Sequence, residues 1–228
     1  ELSLTATDSC GNTAVDVVTV CQQAGYDVEN LDINTWNFEG TAFWDAANNW
    51  VELTGPTQNQ AGTAFNTAAA VSAENVDIEF LFYVSGGSGA DGISLTALDT
   101  TRMNGFVGSS GGGIGYMNMP GWSVEVDTYM NGHDPAQDHL AFVFDGQLYT
   151  PEVVVTVPEL EDNQWHTLKV SVTAPHVYVE LDGIPYIDQM INGHYSFPAY
   201  VGFTAATGSL TNYHLIDSLV VTEMVCEE

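Results

Sequence analysis

The sequence predicts an all-β protein folded as an antiparallel sandwich. Short β-rich runs recur along most of the chain, and Gly or Pro closes them. No window of twelve or more residues carries a helical stripe, apart from a short Ala-rich stretch at residues 67–75. Many short strands with such punctuation indicate two packed sheets. The 228 residues, 45% of them hydrophobic, suffice for a core without disulfide or metal, because a chain of this size buries about two thirds of its unfolded surface.

Residues 2–7 alternate like a strand, and residues 14–20 are rich in β-branched side chains. Residues 1–32 as a whole are read as an N-terminal extension or edge ribbon, with the main domain spanning 33–228. Within it, residues 80–84 and 153–157 are β-rich runs, while 168–173 and 177–181 alternate with period two. Asp182-Gly183 then marks a hairpin turn, and residues 219–221 make a last strand. Trp36, Trp50 and Trp165 are expected to fill the core. There is no internal repeat and no low-complexity linker.

Arg102 and Lys169 are the only basic residues against 30 carboxylates, a formal net charge of -28. Nucleic acid is excluded as a partner, because its phosphates must be met by Lys and Arg. An anionic membrane surface would repel the chain as well. No run of eighteen uncharged apolar residues is present, and the first residues lack the basic segment and apolar run of a secretory leader. No direct membrane insertion is expected. Cys10, Cys21 and Cys226 lie towards the ends of the sequence, and an odd count permits one disulfide and one thiol, or three thiols. A Cys10–Cys21 loop is the favoured pairing.

The chemistry concentrates in residues 122–139. If the strand runs on from Trp122, then Glu125, Asp127, Tyr129 and Asn131 share one face, while Val124, Val126 and Thr128 share the other. Two carboxylates about 6.6 Å apart along one face repel each other unless a cation, a proton or a base intervenes. The chain has almost no base to offer. Carboxylates, amides and backbone carbonyls are the ligands of a hard cation, and His139 adds a nitrogen that suits a transition ion. The spacing does not match a helix-loop-helix calcium loop.

This segment, from Glu125-Val126-Asp127-Thr128-Tyr129 through Asn131, Asp134-Pro135 and His139, resembles the metal-binding region of the L-type lectins, the legume-lectin-like family. Three further stretches agree in chain order. Gly40-Thr41-Ala42 with Leu53-Thr54 and Gly62-Thr63-Ala64-Phe65 resembles the opening strands, and Ala90-Asp91-Gly92-Ile93 the loop bearing the sugar-binding aspartate. Residues 201–208, with His214 beyond, resemble the closing strand and its loop. The likeness covers roughly residues 34–225. It implies a jelly-roll sandwich of the concanavalin A type, from a bacterial or other non-plant member.

The resemblance further implies a calcium ion held by Asp127, Tyr129, Asn131 and Asp134. A second ion, such as manganese, would be held by Glu125, Asp127, Asp134 and His139. It implies a sugar held by Asp91, Asn131 and the Gly112 backbone N–H, with Ser209 and Leu210 in the loop that sets sugar preference. Met130 and Tyr116 are the two candidates to cover the sugar's apolar face. The span between Asn131 and Asp134 is two residues shorter than in plant members, which makes Asp138 an alternative ligand. The expected partners are glycans or glycoproteins, and the expected location is extracellular or at the cell surface, alone or within a larger secreted protein. Oligomeric state is left open.

Two rival classes share such sandwiches. An endo-acting glycoside hydrolase would need a second acidic residue where Tyr129 stands, in order to place nucleophile and acid about 5–5.5 Å apart. A purely structural module of a long extracellular protein would show no saturable sugar binding.

Overall fold

The computed structural model describes residues 2–7, 9–18, 21–27 and 33–226. Among them, eighteen strands follow one another, interrupted only by 3-10 turns at Ile33–Thr35 and Gly111–Gly113. The first two strands, β1 (Leu2–Thr7) and β2 (Thr13–Val18), pair with each other in a ribbon of their own. Next, β3 (Cys21–Asp27) leaves that ribbon and pairs with the last strand, β18 (Tyr213–Cys226). The expected extension therefore divides, with residues 21–27 inside the sandwich. Cys226 stands opposite Cys21 in this ladder, whereas Cys10 lies exposed in the β1–β2 turn. The Cys21 side chain, and with it the expected Cys10–Cys21 pairing, lies outside the described residues.

The front sheet contains β4 (Trp36–Gly40), β7 (Ala61–Asn66), β8 (Val71–Ser72), β10 (Gly92–Asp99), β11 (Gly121–Asp127), β12 (His139–Phe144), β13 (Val153–Thr156) and β17 (Pro198–Ala206). Its order is β13-β12-β11-β10-β17-β7-β4, with β8 beside β17. The back sheet is formed by β5 (Phe43–Asp45), β6 (Trp50–Thr54), β9 (Asn75–Ser85), β14 (His166–Thr173), β15 (His176–Leu181), β16 (Ile184–Met190) and β18, with β3 along β18. All pairings are antiparallel. The Ala-rich stretch at 67–75 holds β8 and the start of β9, not a helix. Asp182 and Gly183, both at positive φ, make the two-residue turn between β15 and β16.

Back-sheet strands alternate cleanly. Along β9, Val76, Ile78, Phe80, Phe82 and Val84 point inward, and Asp77, Glu79, Leu81 and Tyr83 point outward. Lys169 on β14 lies between Glu79 and Glu180 in register. The inward rows of the two sheets meet in the main core, where Phe80 and Phe203 rings sit 4.7 Å apart and Trp122 donates its indole N–H to the Ala73 carbonyl.

The front sheet is covered on both sides. Its outer face lies beneath a second apolar cluster that includes Ile114, Tyr116, Met119 and Leu148, so every residue of β10 and β11 is buried. The long segment from Thr100 to Pro120 supplies much of this cover. Arg102 fastens it, donating to the Asp99 and Asp145 carboxylates and stacking over the Tyr195 ring at 4.6 Å. Of the three tryptophans expected inside, only Trp36 is in the core. Trp50 is half-buried on the outer face of the back sheet, and Trp165 is 37% exposed before β14.

Candidate functional site

Strand β11 ends at Asp127, four residues short of Asn131, where the expected face was to end. Tyr129 and Asn131 lie in the following loop. Inside the strand the alternation holds: Trp122, Val124 and Val126 enter the main core, which sends Glu125 and Asp127 to the other face, under the covering segment. Asp127 pairs in register with His139 on β12 and with Gly92 on β10.

Glu125, Asp127 and His139 thereby offer ligand atoms within 4.8 Å of one another, all buried. His139 Nε2 lies 3.5 Å from Glu125 Oε1. The Tyr116 hydroxyl donates to Glu125 Oε2, and burial with the neighbouring carboxylates holds that phenol well above its usual range. Burial and then the Glu125 charge push the Asp127 carboxyl up to about 9, with Asp134 and Asp91 adding to the rise. A cation in this cluster would remove that repulsion.

The loop turns back on itself. Asp127 Oδ1 accepts the Tyr129 N–H at 2.6 Å, and Asp134 Oδ2 accepts the Asn131 N–H at 2.8 Å. The Asn131 amide approaches the Tyr129 carbonyl at 3.5 Å. Asp138 is engaged elsewhere, taking the Leu160 N–H at 2.7 Å. It anchors the 157–160 segment through that bond and through its carbonyl, which accepts the Val157 N–H. His133, exposed beside the loop, contacts Asp134 Oδ1 at 3.0 Å.

Three other segments converge on the same end of the front sheet. The Ala90–Asp91 peptide bond is cis, and the Asp91 N–H donates to Ala206 O while its carbonyl accepts from Thr128 N–H. The residue is only 3% exposed, and its Oδ2 has no hydrogen-bond partner. Burial pushes this carboxyl up to about 6, against a Gly208 N–H that lowers it. A Cβ on Gly208 would lie 3.1 Å from Asp91 Oδ2, and one on Gly112 would lie 2.8 Å from Asn131 Nδ2. The Gly111 N–H donates to Thr207 O, joining the two glycine loops.

The fold therefore brings Asp91, Gly112, Asn131 and Gly208 together from four separate segments. Ser209 is exposed, its carbonyl accepting from Gln58 Nε2 at 2.6 Å, and Leu210 is half-buried beside it. Tyr116 is wholly buried and bound to Glu125, so it cannot cover a ligand; Met130, 58% exposed, can. Gly208 was not singled out from the sequence as a site residue. Its signal was the Gly that follows Thr207 in the loop already matched.

Chemically the place offers a buried acceptor without a donor, an amide and tightly approaching backbone, beside a carboxylate–imidazole cluster. Tyr129, where the hydrolase reading needs a second acid, brings a phenol and a backbone carbonyl instead.

Comparison with known proteins agrees with this architecture. The basic winged bean lectin, solved with Tn-antigen, superposes with a TM-score of 0.77 at 20% identity, covering 91% of this chain and 100% of that one. The exoplasmic/lumenal domain of VIP36, solved with Ca2+ and Man3GlcNAc, gives 0.68 at 20% identity, with 86% and 88% covered. A lectin from Bauhinia forficata in complex with GalNAc gives 0.72 at 18% identity, with 90% and 99% covered. No curated protein sequence matches. The profile of the legume-like lectin family matches residues 22–150, more than half of the chain. With the sandwich and the converging loops, that match settles the assignment: the chain belongs to the legume-like lectin family, as a carbohydrate-binding protein and not an enzyme.

Proposed function

We propose that the chain binds glycans in a calcium-dependent manner through Asp91, Asn131 and the Gly112 backbone N–H. The observation that carries this reading is the buried Asp91 Oδ2, which has no partner although Asn131, Gly112 and Gly208 crowd the same place. A buried carboxylate oxygen without a donor is costly, and neighbouring sugar hydroxyls supply donors. An amide and a backbone N–H beside it fix the sugar's orientation. Met130 covers the apolar face, and Ser209 and Leu210 form part of the rim.

The donor set fits calcium: Asp127 and Asp134 carboxylates, the Tyr129 carbonyl and the Asn131 amide are all oxygen ligands of the kind calcium takes. Glu125, Asp127 and His139, with Asp134 near, suit a second, transition ion such as manganese. Bound ions would neutralise the cluster and fix the loop that carries Asn131. The VIP36 domain was solved with Ca2+ and mannose-containing glycans, which supports the same pairing of ion and sugar here. The recognition domain is read as starting at β3, with the β1–β2 ribbon outside it. Glycans or glycoproteins on the extracellular or lumenal side are the expected partners.

The test is a glycan array with multivalent display, run on wild type and on Asp91→Asn, with calcium and with a chelator. Wild type in calcium should bind a defined set of glycans, and both chelation and Asp91→Asn should weaken that binding at least tenfold, since each hydrogen bond to a charged partner is worth roughly 1.5–3 kcal/mol. A folded Asp91→Asn protein that binds as wild type does would overturn the assignment of the site.

A further inference from the structure

The back sheet carries a second recognition feature on its outer face. A groove of about 440 Å³ is lined by Trp50, Glu52, Tyr83, Trp165 and Tyr213, with Asn48 at one end. The register explains why these side chains meet. Glu52 pairs with Phe43 on one side and Leu215 on the other, and Leu215 pairs with Tyr83, so a carboxylate stands in an apolar row across four strands. Trp50, two residues before Glu52, shares its face. The Trp165 ring leans on both Trp50 and Tyr83, with centroids 5.8 and 5.7 Å away.

Two polar groups face this aromatic setting, one buried without a partner and one an unpaired carboxylate open to solvent. The Trp50 Nε1–H is buried and has no acceptor. Glu52 takes part in no hydrogen bond or ion pair among the described residues, and burial together with Asp45 pushes its carboxyl upward. No Lys, Arg or His lines the groove. Large rings at 37% and 38% exposure, Trp165 and Tyr213, beside a buried donor without an acceptor, are what a surface open only to water ordinarily avoids.

We propose that this groove is a second carbohydrate site, taking a short neutral oligosaccharide. A sugar ring lays its C–H face on an aromatic ring, and its hydroxyls both donate and accept. One hydroxyl can accept from Trp50 Nε1, and another can donate to Glu52. The volume lies within the range of small-ligand pockets and exceeds what one small ion needs. Acidic sugars are disfavoured, because Glu52, Asp45 and a net charge of -28 repel them. The groove lies on the sheet opposite the Asp91 site and uses none of its residues.

The experiment uses ¹⁵N-labelled Asp91→Asn protein, in which the front-sheet site is disabled. It is titrated with neutral gluco-, manno- and galacto-oligosaccharides of two to four units. At least one series should shift the Trp50 and Trp165 indole N–H signals saturably, leaving the core Trp122 signal unmoved. Trp165→Ala should lower that affinity at least tenfold, and Glu52→Gln several-fold; should Trp165→Ala lose its fold, Glu52→Gln decides. Unshifted indoles with all three series overturn the proposal. Saturation by tetramethylammonium but by no sugar overturns it in favour of a cation cage. Shifts that depend only on protein concentration, with a dimer mass in sedimentation, overturn it in favour of self-association. Because front-sheet binding is read on the array, failure of either site leaves the other result legible.

Discussion

Gly112 and Asn131 touch with no room for a side chain between them: a Cβ on the glycine would lie 2.8 Å from Nδ2 and 2.9 Å from Oδ1 of the amide. Nineteen residues apart in sequence, they come from the covering segment and from the loop after β11. Such a contact places a backbone and an amide side by side without an intervening wall.

Gly112→Ala should therefore displace the Asn131 amide without unfolding the sandwich, because the residue is at the rim and outside both apolar clusters. The expected outcome is a melting temperature close to wild type with glycan binding weakened at least tenfold, the size of one lost hydrogen bond to a charged or buried partner. Array binding and a thermal scan check it. Undiminished binding would mean that Gly112 does not adjoin the sugar.

The raised Asp127 carboxyl gives the metal-free protein a distinctive response to pH. A carboxyl whose folded pKa is raised contributes stability that is present at low pH and lost as pH climbs through about 9. Without metal, stability should fall between pH 6.5 and 9. With saturating calcium the dependence should vanish, because the ion holds Asp127 deprotonated in the native state as it already is in the unfolded chain. Melting curves in chelator and in calcium across that window test both expectations; a flat chelator series would refute the first.

Asp127→Ala should remove more bound metal than Glu125→Ala. Asp127 lies in the carboxylate–imidazole cluster and also accepts the Tyr129 N–H that shapes the loop, whereas Glu125 is tied to Tyr116. Metal content by elemental analysis after dialysis against calcium and manganese distinguishes the variants. Equal contents would contradict the shared role of Asp127.

His214 predicts an acid weakness of its own. It is fully buried, its Nδ1 is 2.6 Å from Thr54 Oγ1 and its Nε2 has no partner, and burial depresses its pKa to about 3. A depressed His pKa contributes stability present above its ordinary value of 6.5 and lost as pH falls towards 3, at about 1.4 kcal/mol per pH unit where the difference is full. The difference in unfolding free energy between wild type and His214→Gln should shrink as pH drops from 6.5 to 4. Parallel curves would show that His214 does not titrate in this range.

The parts of this fold that depend on local pattern were legible in the sequence. The inward valines of β11 and their outward carboxylates follow from alternation, and the Asp182-Gly183 turn follows from its dipeptide. What depends on distant partners was not. That β11 stops at Asp127 is decided by the loop hydrogen bonds of Tyr129 and Asn131. That Tyr116 is buried is decided by the covering segment, and that Asp138 takes the Leu160 N–H is decided by a segment twenty-two residues on. Trp165 and Trp36 look alike in sequence, since alternation says that a side chain has a side without saying whether that side meets the other sheet or water. Strand β3 pairs with β18 across nearly two hundred residues of sequence, a relation no local spacing reveals.

The scarcity of basic residues has a practical corollary. Trypsin, whose specificity pocket requires Lys or Arg, has only two bonds to attack in 228 residues. Both are held: Arg102, though exposed, is clasped between Asp99, Asp145 and the Tyr195 ring, and Lys169 is in mid-strand on β14, hydrogen-bonded into a ladder on both sides. The folded domain should survive digestion intact, and cuts after residues 102 and 169 should appear only when the covering segment lifts or the back sheet opens. Two fragments boundaries, far apart in the fold, thus act as separate reporters of which half of the sandwich gives way first.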